Sequence, residues 1–230
     1  MTILNASVAA DEIILTMDTL VSNRDEENLE PAYFTQKFEY LPFADSIVCG
    51  TGNLDILRKV FDLTKNLLVR EVDTLAEMVR DYAKKEFAHM LDETKYGTST
   101  IYIFGFDEQK RTRAYAIRST DGYNLQYIAG YDKPSMILKP DITGSYKSRQ
   151  IEALNQEGFK SFIDIAKINK EYDDSLMDSD TQKVGVGGEL VAIVLSANYN
   201  QAIVSKLYTF EDYEEQYQFA LNKIHSAILE

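Results

Sequence analysis

The chain has 230 residues, of which 45% are hydrophobic and 27% charged, a globular composition that excludes a disordered chain. Acidic residues outnumber basic ones by 37 to 24, and the net charge of −13 makes nucleic acid and anionic membranes poor partners. One cysteine excludes an internal disulfide, and two histidines exclude a multi-histidine metal site. With no apolar run near the roughly 18 residues that span a bilayer and no visible secretory signal, we expect a soluble cytoplasmic protein.

Short apolar runs predict four strands in the first 51 residues. They cover residues 2–9, 12–18, 33–41 and 46–51. The first two are predicted to form a hairpin that turns at Ala10 and Asp11. Residues 22–32 are polar and charged, which predicts a loop.

The apolar spacing then changes to that of helices, predicted over residues 53–69, with Asn53 as the N-cap, and over residues 73–93. Strands return afterwards, over residues 98–107, 112–119 and 124–130.

The last third of the chain is predicted to hold helices before a final strand pair. Residues 132–148 carry two prolines and are expected to be irregular. In order, the further predictions are one or two helices over 149–172, an acidic loop over 173–183, strands over 188–198 and 201–209, and an amphipathic helix.

Strands and helices occur in blocks, without the strict alternation of a parallel sheet. This order favours stacked sheets flanked by layers of helices. The composition shows no repeat and no linker, so we expect residues 1–230 to form a single domain.

Three residues near the N-terminus carry types that suit nucleophilic catalysis. Thr2 opens the first strand, Asp18 ends the second, and Lys37 lies in the third. The motifs around them are T-I-x-x-x-x-V, D-E-I-I-L-x-x-D-T, K-F and I-V-x-G-T-G-x-x-D, followed late in the chain by G-V-G-G-E-L-V-A-I-V at 185–194. Together they resemble the catalytic β-subunits of the proteasome and its bacterial relatives, which are N-terminal-nucleophile hydrolases.

The resemblance covers most of the chain at the level of the fold, with specific motifs in residues 2–55 and 185–194. It implies an α+β fold built as a four-layer αββα sandwich, with two antiparallel-rich sheets between helix layers. It also implies a threonine peptidase that hydrolyses peptide bonds without a cofactor or metal.

By the same resemblance, Thr2 is the nucleophile once Met1 is removed, and its own α-amine is the base. The Lys37 ammonium would favour the neutral amine, and Asp18 would hold the lysine in place.

The resemblance assigns two further features to the strand that precedes the first helix. Backbone amides near Thr51 and Gly52 would stabilise the oxyanion. Cys49 would lie near the specificity pocket.

The chain departs from the family pattern at three positions. Leu20 stands where catalytic relatives commonly carry arginine, Val186 replaces a serine, and Lys183 occupies the place of a supporting aspartate. An alternative is therefore a catalytically inactive scaffold or partner-binding subunit of the same fold. A weaker alternative is an amidase that acts on small molecules.

The resemblance implies a homo-oligomeric ring that acts on peptides, and we expect the helices at 53–69 and 73–93 to form its contacts. The sequence has no G-x-x-x-x-G-K-[ST] loop, so ATP-driven unfolding would need a separate unfoldase.

Overall fold

A computed structural model describes residues 2–25, 28–92, 96–178, 180, 182–199 and 201–229. Within these residues it has twelve strands and five α-helices. The strands are β1 (Leu4–Val8), β2 (Glu12–Asp18), β3 (Leu20–Asp25), β4 (Asn28–Phe34), β5 (Phe38–Leu41), β6 (Ser46–Thr51), β7 (Thr100–Phe106), β8 (Thr112–Arg118), β9 (Leu125–Gly130), β10 (Ser135–Lys139), β11 (Glu189–Ser196) and β12 (Ile203–Thr209). The helices are α1 (Leu54–Thr64), α2 (Val72–Glu86), α3 (Gly144–Ala153), α4 (Phe159–Asp174) and α5 (Tyr213–Leu229).

The strands form two five-stranded antiparallel sheets and a separate two-stranded ribbon. The first sheet has the order β10-β1-β2-β11-β12, and the second runs β5-β6-β7-β8-β9. The predicted hairpin of β1 and β2 is confirmed, with Leu4 opposite Met17. On the other side of β2, Asp18 pairs with Leu190 of β11, so the end of β2 is held between two strands.

Three apolar clusters define the layers. One lies between the sheets and joins side chains of β1, β2 and β11 to those of β6, β7 and β8. The second packs α1 and α2 against the outer face of the second sheet. The third packs α4 against Ile3, Leu190 and Phe210 on the outer side of the first sheet. The expected α+β, four-layer αββα sandwich is therefore confirmed.

The prediction of a loop over residues 22–32 is wrong. That stretch lies in the ribbon of β3 and β4, in which Leu20 pairs with Phe34 and Ser22 with Pro31. Residues 26 and 27 lie outside the described part of the chain. The ribbon buries only part of its surface, so its apolar and polar residues need not alternate. The pairing register also shifts between Val21 and Ser22.

The prediction of an irregular stretch over residues 132–148 is also wrong, because these residues contain β10 and the start of α3. β10 is an edge strand that pairs with β1 on one side, and all of its residues are half-buried. Such a strand shows no alternation of apolar and polar residues, and Pro134 and Pro140 flank it without interrupting it.

Capping residues set the ends of the first two helices. The predicted cap at Asn53 is confirmed, since its side chain accepts a hydrogen bond from the Asp55 amide at 2.9 Å. The helix is shorter than predicted and ends at Thr64. The next helix, α2, begins at Val72 because the Glu71 carboxylate accepts from the amides that follow, and it ends at Glu86. Residue 93, the predicted end, lies outside the described residues.

Candidate active site

The strand ends bring Thr2, Asp18 and Lys37 into one buried cluster. Thr2 precedes β1, Asp18 ends β2, and Lys37 lies directly before β5. Their exposed fractions are only 4%, 1% and 7%. Three residues from separate parts of the sequence, two of them charged, thus share one site at the junction of the two sheets.

The Asp18 carboxylate is the centre of this cluster. Its Oδ1 accepts hydrogen bonds from the Thr2 hydroxyl and from the Ile3 amide, the latter at 2.9 Å. Its Oδ2 accepts from Lys37 Nζ at 3.0 Å and from the Gly187 amide at 3.5 Å. Four donors therefore satisfy the two oxygens of this buried carboxylate.

Burial lowers the pKa of Lys37 below its ordinary value, although the charge and hydrogen bond of Asp18 act in the opposite direction. This lysine therefore gives up its proton more readily than an exposed lysine. The position of such a group beside a hydroxyl and a carboxylate is typical of a catalytic site.

Thr2 and Lys37 face a cleft of about 850 Å³. The ribbon of β3 and β4 lines one side of the cleft with residues such as Ser22 and Tyr33. The turn from β6 into α1, from Gly50 onwards, lines the other side. The cleft is large enough to take an extended peptide segment against the cluster.

Thr51 and Gly52 also line this cleft. Gly52 has a φ of +99°, and a Cβ there would lie 2.0 Å from the Thr98 carbonyl oxygen, so the turn requires glycine. The absence of a side chain lets this turn lie directly against the backbone of Thr98 and Ser99.

Cys49 does not lie with these residues. Its side chain is completely buried in the core between the two sheets, and burial raises the pKa of its thiol. Its neighbour Gly50 lines the cleft instead. The expected place of Cys49 near the specificity pocket is corrected by this geometry: adjacent residues of a strand point to opposite faces.

The three departures from the family pattern have definite places in the structure. Leu20 and Val186 are buried. Lys183 donates to the Leu176 carbonyl at 3.1 Å and pairs with Asp178 at 2.8 Å. Leucine and valine side chains form no hydrogen bonds, and Lys183 carries a donor where the family pattern has an acceptor.

Asp173, which sequence reasoning missed, holds the backbone in this region. It lies in the last turn of α4, inside the stretch predicted as an acidic loop, and accepts from the amides of residues 184 to 186. A signal was present, because Ala166, Asn169 and Asp173 follow helical spacing and share the buried face of α4.

The described residues hold neither a cluster of metal ligands nor a membrane-spanning helix. Among them, no group of three histidine, cysteine, aspartate or glutamate side chains could hold a metal ion. In the same part of the chain, no helix has the length and apolar character needed to cross a membrane.

Solved structures share the sandwich fold and are similar to the chain. Anbu from Hyphomicrobium sp. strain MC1 is 16% identical, with a TM-score of 0.57, over 98% of this chain and 94% of that one. Its Gly-1 mutant is 15% identical, with a TM-score of 0.59, over the whole of both chains. Anbu from Yersinia bercovieri, described as an ancestral beta-subunit, is 11% identical, with a TM-score of 0.58, over 98% of this chain and 94% of that one.

No family model matches the chain, and no curated protein matches it. The likeness to Anbu structures corrects the assignment to the proteasome β-subunits of the bacterial proteasome-related type. The three structures described above are Anbu proteins, a related but distinct family. At 11–16% identity, this likeness shows the fold alone.

Proposed function

We propose that the protein is a threonine peptidase that uses Thr2 as an N-terminal nucleophile. The observation that carries the proposal is the buried Asp18 carboxylate, which contacts both the Thr2 hydroxyl and the Lys37 ammonium beside an open cleft. A charge pair is expensive to bury, and its position beside a hydroxyl in a cleft favours a catalytic role over a structural one.

The proposed reaction begins with the removal of Met1, which lies outside the described residues. The freed α-amine of Thr2 takes the proton of the threonine hydroxyl, and Oγ attacks the carbonyl carbon of a peptide bond. Lys37, held by Asp18, disfavours protonation of that amine through its charge. Backbone amides at Thr51 and Gly52 stabilise the oxyanion.

In the second half of the reaction, the amine product leaves with the proton that the α-amine had taken, and an ester joins the acyl group to Thr2. Water then attacks this ester, the carboxylic acid product leaves, and the threonine hydroxyl is restored.

We further propose that the chain acts as a single domain in a homo-oligomeric ring, on peptides, in the cytoplasm. Because the sequence has no phosphate-binding loop of the usual ATPase type, ATP-driven unfolding of larger substrates would be the task of a separate protein.

The test uses the protein as purified from cells. Intact-mass measurement determines whether the chain begins at Thr2, and a threonine-directed covalent probe, such as a peptide β-lactone, is then added. We expect one adduct per chain, mapped to Thr2 and lost in Thr2→Ala. The matched control is Thr35→Ala, at a half-buried threonine of the same cleft, which should keep the adduct.

The inactive scaffold is the second candidate, because Val186 has no hydrogen-bonding side chain and Lys183 carries a donor at the place of the family's aspartate. Quantitative retention of Met1, together with no adduct at Thr2, would support the scaffold and overturn the peptidase.

A further inference from the structure

The segment of residues 184–189, which leads into β11, is held by side chains rather than by a regular backbone pattern. All six of its amides donate to side-chain oxygens. The acceptors are Asp173 Oδ1 for Val184 (2.6 Å), Asp173 Oδ2 for Gly185 and Val186 (3.0 Å each), Asp18 Oδ2 for Gly187 (3.5 Å), Gln216 Oε1 for Gly188 (3.0 Å) and Thr19 Oγ1 for Glu189 (2.9 Å).

Asp173 supplies half of these contacts. Its carboxylate is buried, which raises its pKa, whereas the three backbone hydrogen bonds favour the ionised form. Three successive amides that converge on one carboxylate form a concave anion site, here filled by the protein's own side chain. Without that acceptor, Val184, Val186 and the glycine between them would present buried donors with no partner.

The held segment leads directly into the candidate active site. Gly187 follows the three residues bound by Asp173, and its amide donates to Asp18 Oδ2, the oxygen that also accepts from Lys37 Nζ. The Gly187 carbonyl accepts from the Leu20 amide at 3.3 Å. A shift of this backbone therefore moves a donor of the central carboxylate.

Gln216 of α5 fixes the same segment from the opposite side. Its Oε1 accepts from the Gly188 amide, while its Nε2 donates to Asp212 at 2.6 Å. A Cβ at Gly187 would lie 2.2 Å from Gln216 Oε1, so the glutamine side chain packs directly against the glycine backbone. The segment thus lies between an acceptor on α4 and an acceptor on α5.

We propose that Asp173, assisted by Gln216, is a positioning residue that holds residues 184–188 against Asp18 and so sets the geometry of Thr2, Asp18 and Lys37. The inference rests on the proposed function, in which Thr2 is the nucleophile. In this proposal, Asp173 and Gln216 position the backbone of a chain that has Val186 and Lys183 in place of the family's serine and aspartate.

The first experiment compares Asp173→Asn with Asp164→Asn, a matched change at a half-buried aspartate of the same helix. Amide hydrogen exchange of residues 184–187 and the rate of Thr2 acylation by the β-lactone probe are measured in both. In Asp173→Asn we expect exchange to rise and acylation to fall by about tenfold or more, with the half-saturating probe concentration unchanged. The Asp164 control should change neither.

Acylation at the rate of the Asp164 control would overturn the inference, whether or not hydrogen exchange increases, because Asp173 would then have only a local structural role. Acylation that falls only in Asp173→Asn supports it. Asp173→Glu keeps a carboxylate that can accept from the same amides, so it should recover part of the acylation rate lost in Asp173→Asn.

A separate readout distinguishes failure of this inference from failure of the proposed function. If the wild-type protein takes no adduct at Thr2, the proposed function fails, and the Lys37 titration is followed by NMR with labelled lysine. A shifted Lys37 titration in Asp173→Asn, but not in Asp164→Asn, supports positioning of the cluster. An unshifted titration overturns it.

If Asp173→Asn does not fold, Gln216→Met is measured in its place. Its matched control is Gln218→Met, because Gln218 lies on the same helix but is exposed and donates to Glu214 at 2.9 Å. Slower acylation, or a shifted Lys37 titration, in Gln216→Met alone supports the inference. Equal behaviour of the two variants overturns it.

Discussion

Asp18 and Lys37 form a buried ion pair, and the stability and the activity of the protein should depend on it differently. Their nitrogen and oxygen lie 3.0 Å apart, with side chains 0% and 6% exposed. Breaking a buried pair by removing one partner typically costs about 3–5 kcal/mol, whereas replacing both partners costs much less. A catalytic role and a structural role can therefore be separated by comparing single and double variants.

We expect Lys37→Met to lower the free energy of unfolding by about 3 kcal/mol, because Asp18 is left buried without its cation. The double variant Asp18→Asn/Lys37→Met should recover most of that loss. Acylation of Thr2 should fall by about 100-fold or more in both, because residues that act as a unit are not additive. Denaturant unfolding and probe kinetics measure the two effects, and a double variant that regained acylation along with stability would contradict the catalytic assignment.

Cys49 gives a second prediction at the scale of one residue. It is the only cysteine of the chain, it is completely buried, and burial raises the pKa of its thiol. Because the thiolate is the reactive form, the native protein should not react with an aromatic disulfide reagent, while the unfolded chain should release one equivalent. Thr2 acylation should be insensitive to the reagent. Stoichiometric labelling of the folded protein would show that the thiol is accessible from the cleft.

At the scale of elements, the turn between β6 and α1 forms one side of the cleft and depends on Gly52. This residue has a positive φ and lies against the backbone at Thr98, whereas a Cβ at Gly97, also at positive φ, would meet no described atom within 4 Å. A substitution at Gly97 thus measures the cost of the backbone conformation alone. A substitution at Gly52 measures that cost together with the cost of a clash with the neighbouring backbone.

Gly97→Ala should lower the free energy of unfolding by about 1 kcal/mol, the cost of a left-handed conformation for alanine. Gly52→Ala should cost about 3 kcal/mol or more, because the added methyl group also displaces the backbone of residues 98 and 99. Denaturant unfolding of both variants measures the difference. Equal losses would mean that the turn can move away from Thr98, and the cleft wall would then be adaptable.

Elements with a periodic pattern could be predicted from the sequence, and those that depend on distant partners could not. The hairpin of β1 and β2 follows from alternation and a short turn, and it fixes where Thr2 and Asp18 meet. Strand β4 of the ribbon and the edge strand β10 are mostly half-buried, so their sequences lack the alternation that indicates a strand.

The candidate site shows the same division. The resemblance supplied Thr2, Asp18 and Lys37 from local motifs. The role of Asp173 depends on residues 184 to 186, which return to the end of α4 only in the folded chain. The burial of Cys49 follows from its place on β6. Side chains along a strand alternate between its two faces, so Cys49 points into the core although its neighbour Gly50 lines the cleft.

At the scale of the whole molecule, we predict self-association through the helices of the second sheet. These helices and the loops at their ends leave several apolar side chains exposed. They are Leu68 (84%), Met78 (41%) and Leu91 (43%). The net charge of −13 opposes association of identical chains, so added salt should strengthen it.

Sedimentation velocity at micromolar concentration should give a species several times heavier than the 26.2 kDa chain, with a larger share at higher salt. Met78→Glu should shift the distribution toward the monomer because it places a charge in the contact. Met177→Glu is the matched control, since Met177 is 76% exposed but follows α4 on the other side of the sandwich. It adds the same charge and should leave assembly unchanged. A monomer at every salt concentration would contradict the ring, and equal effects of the two variants would move the contact away from α2.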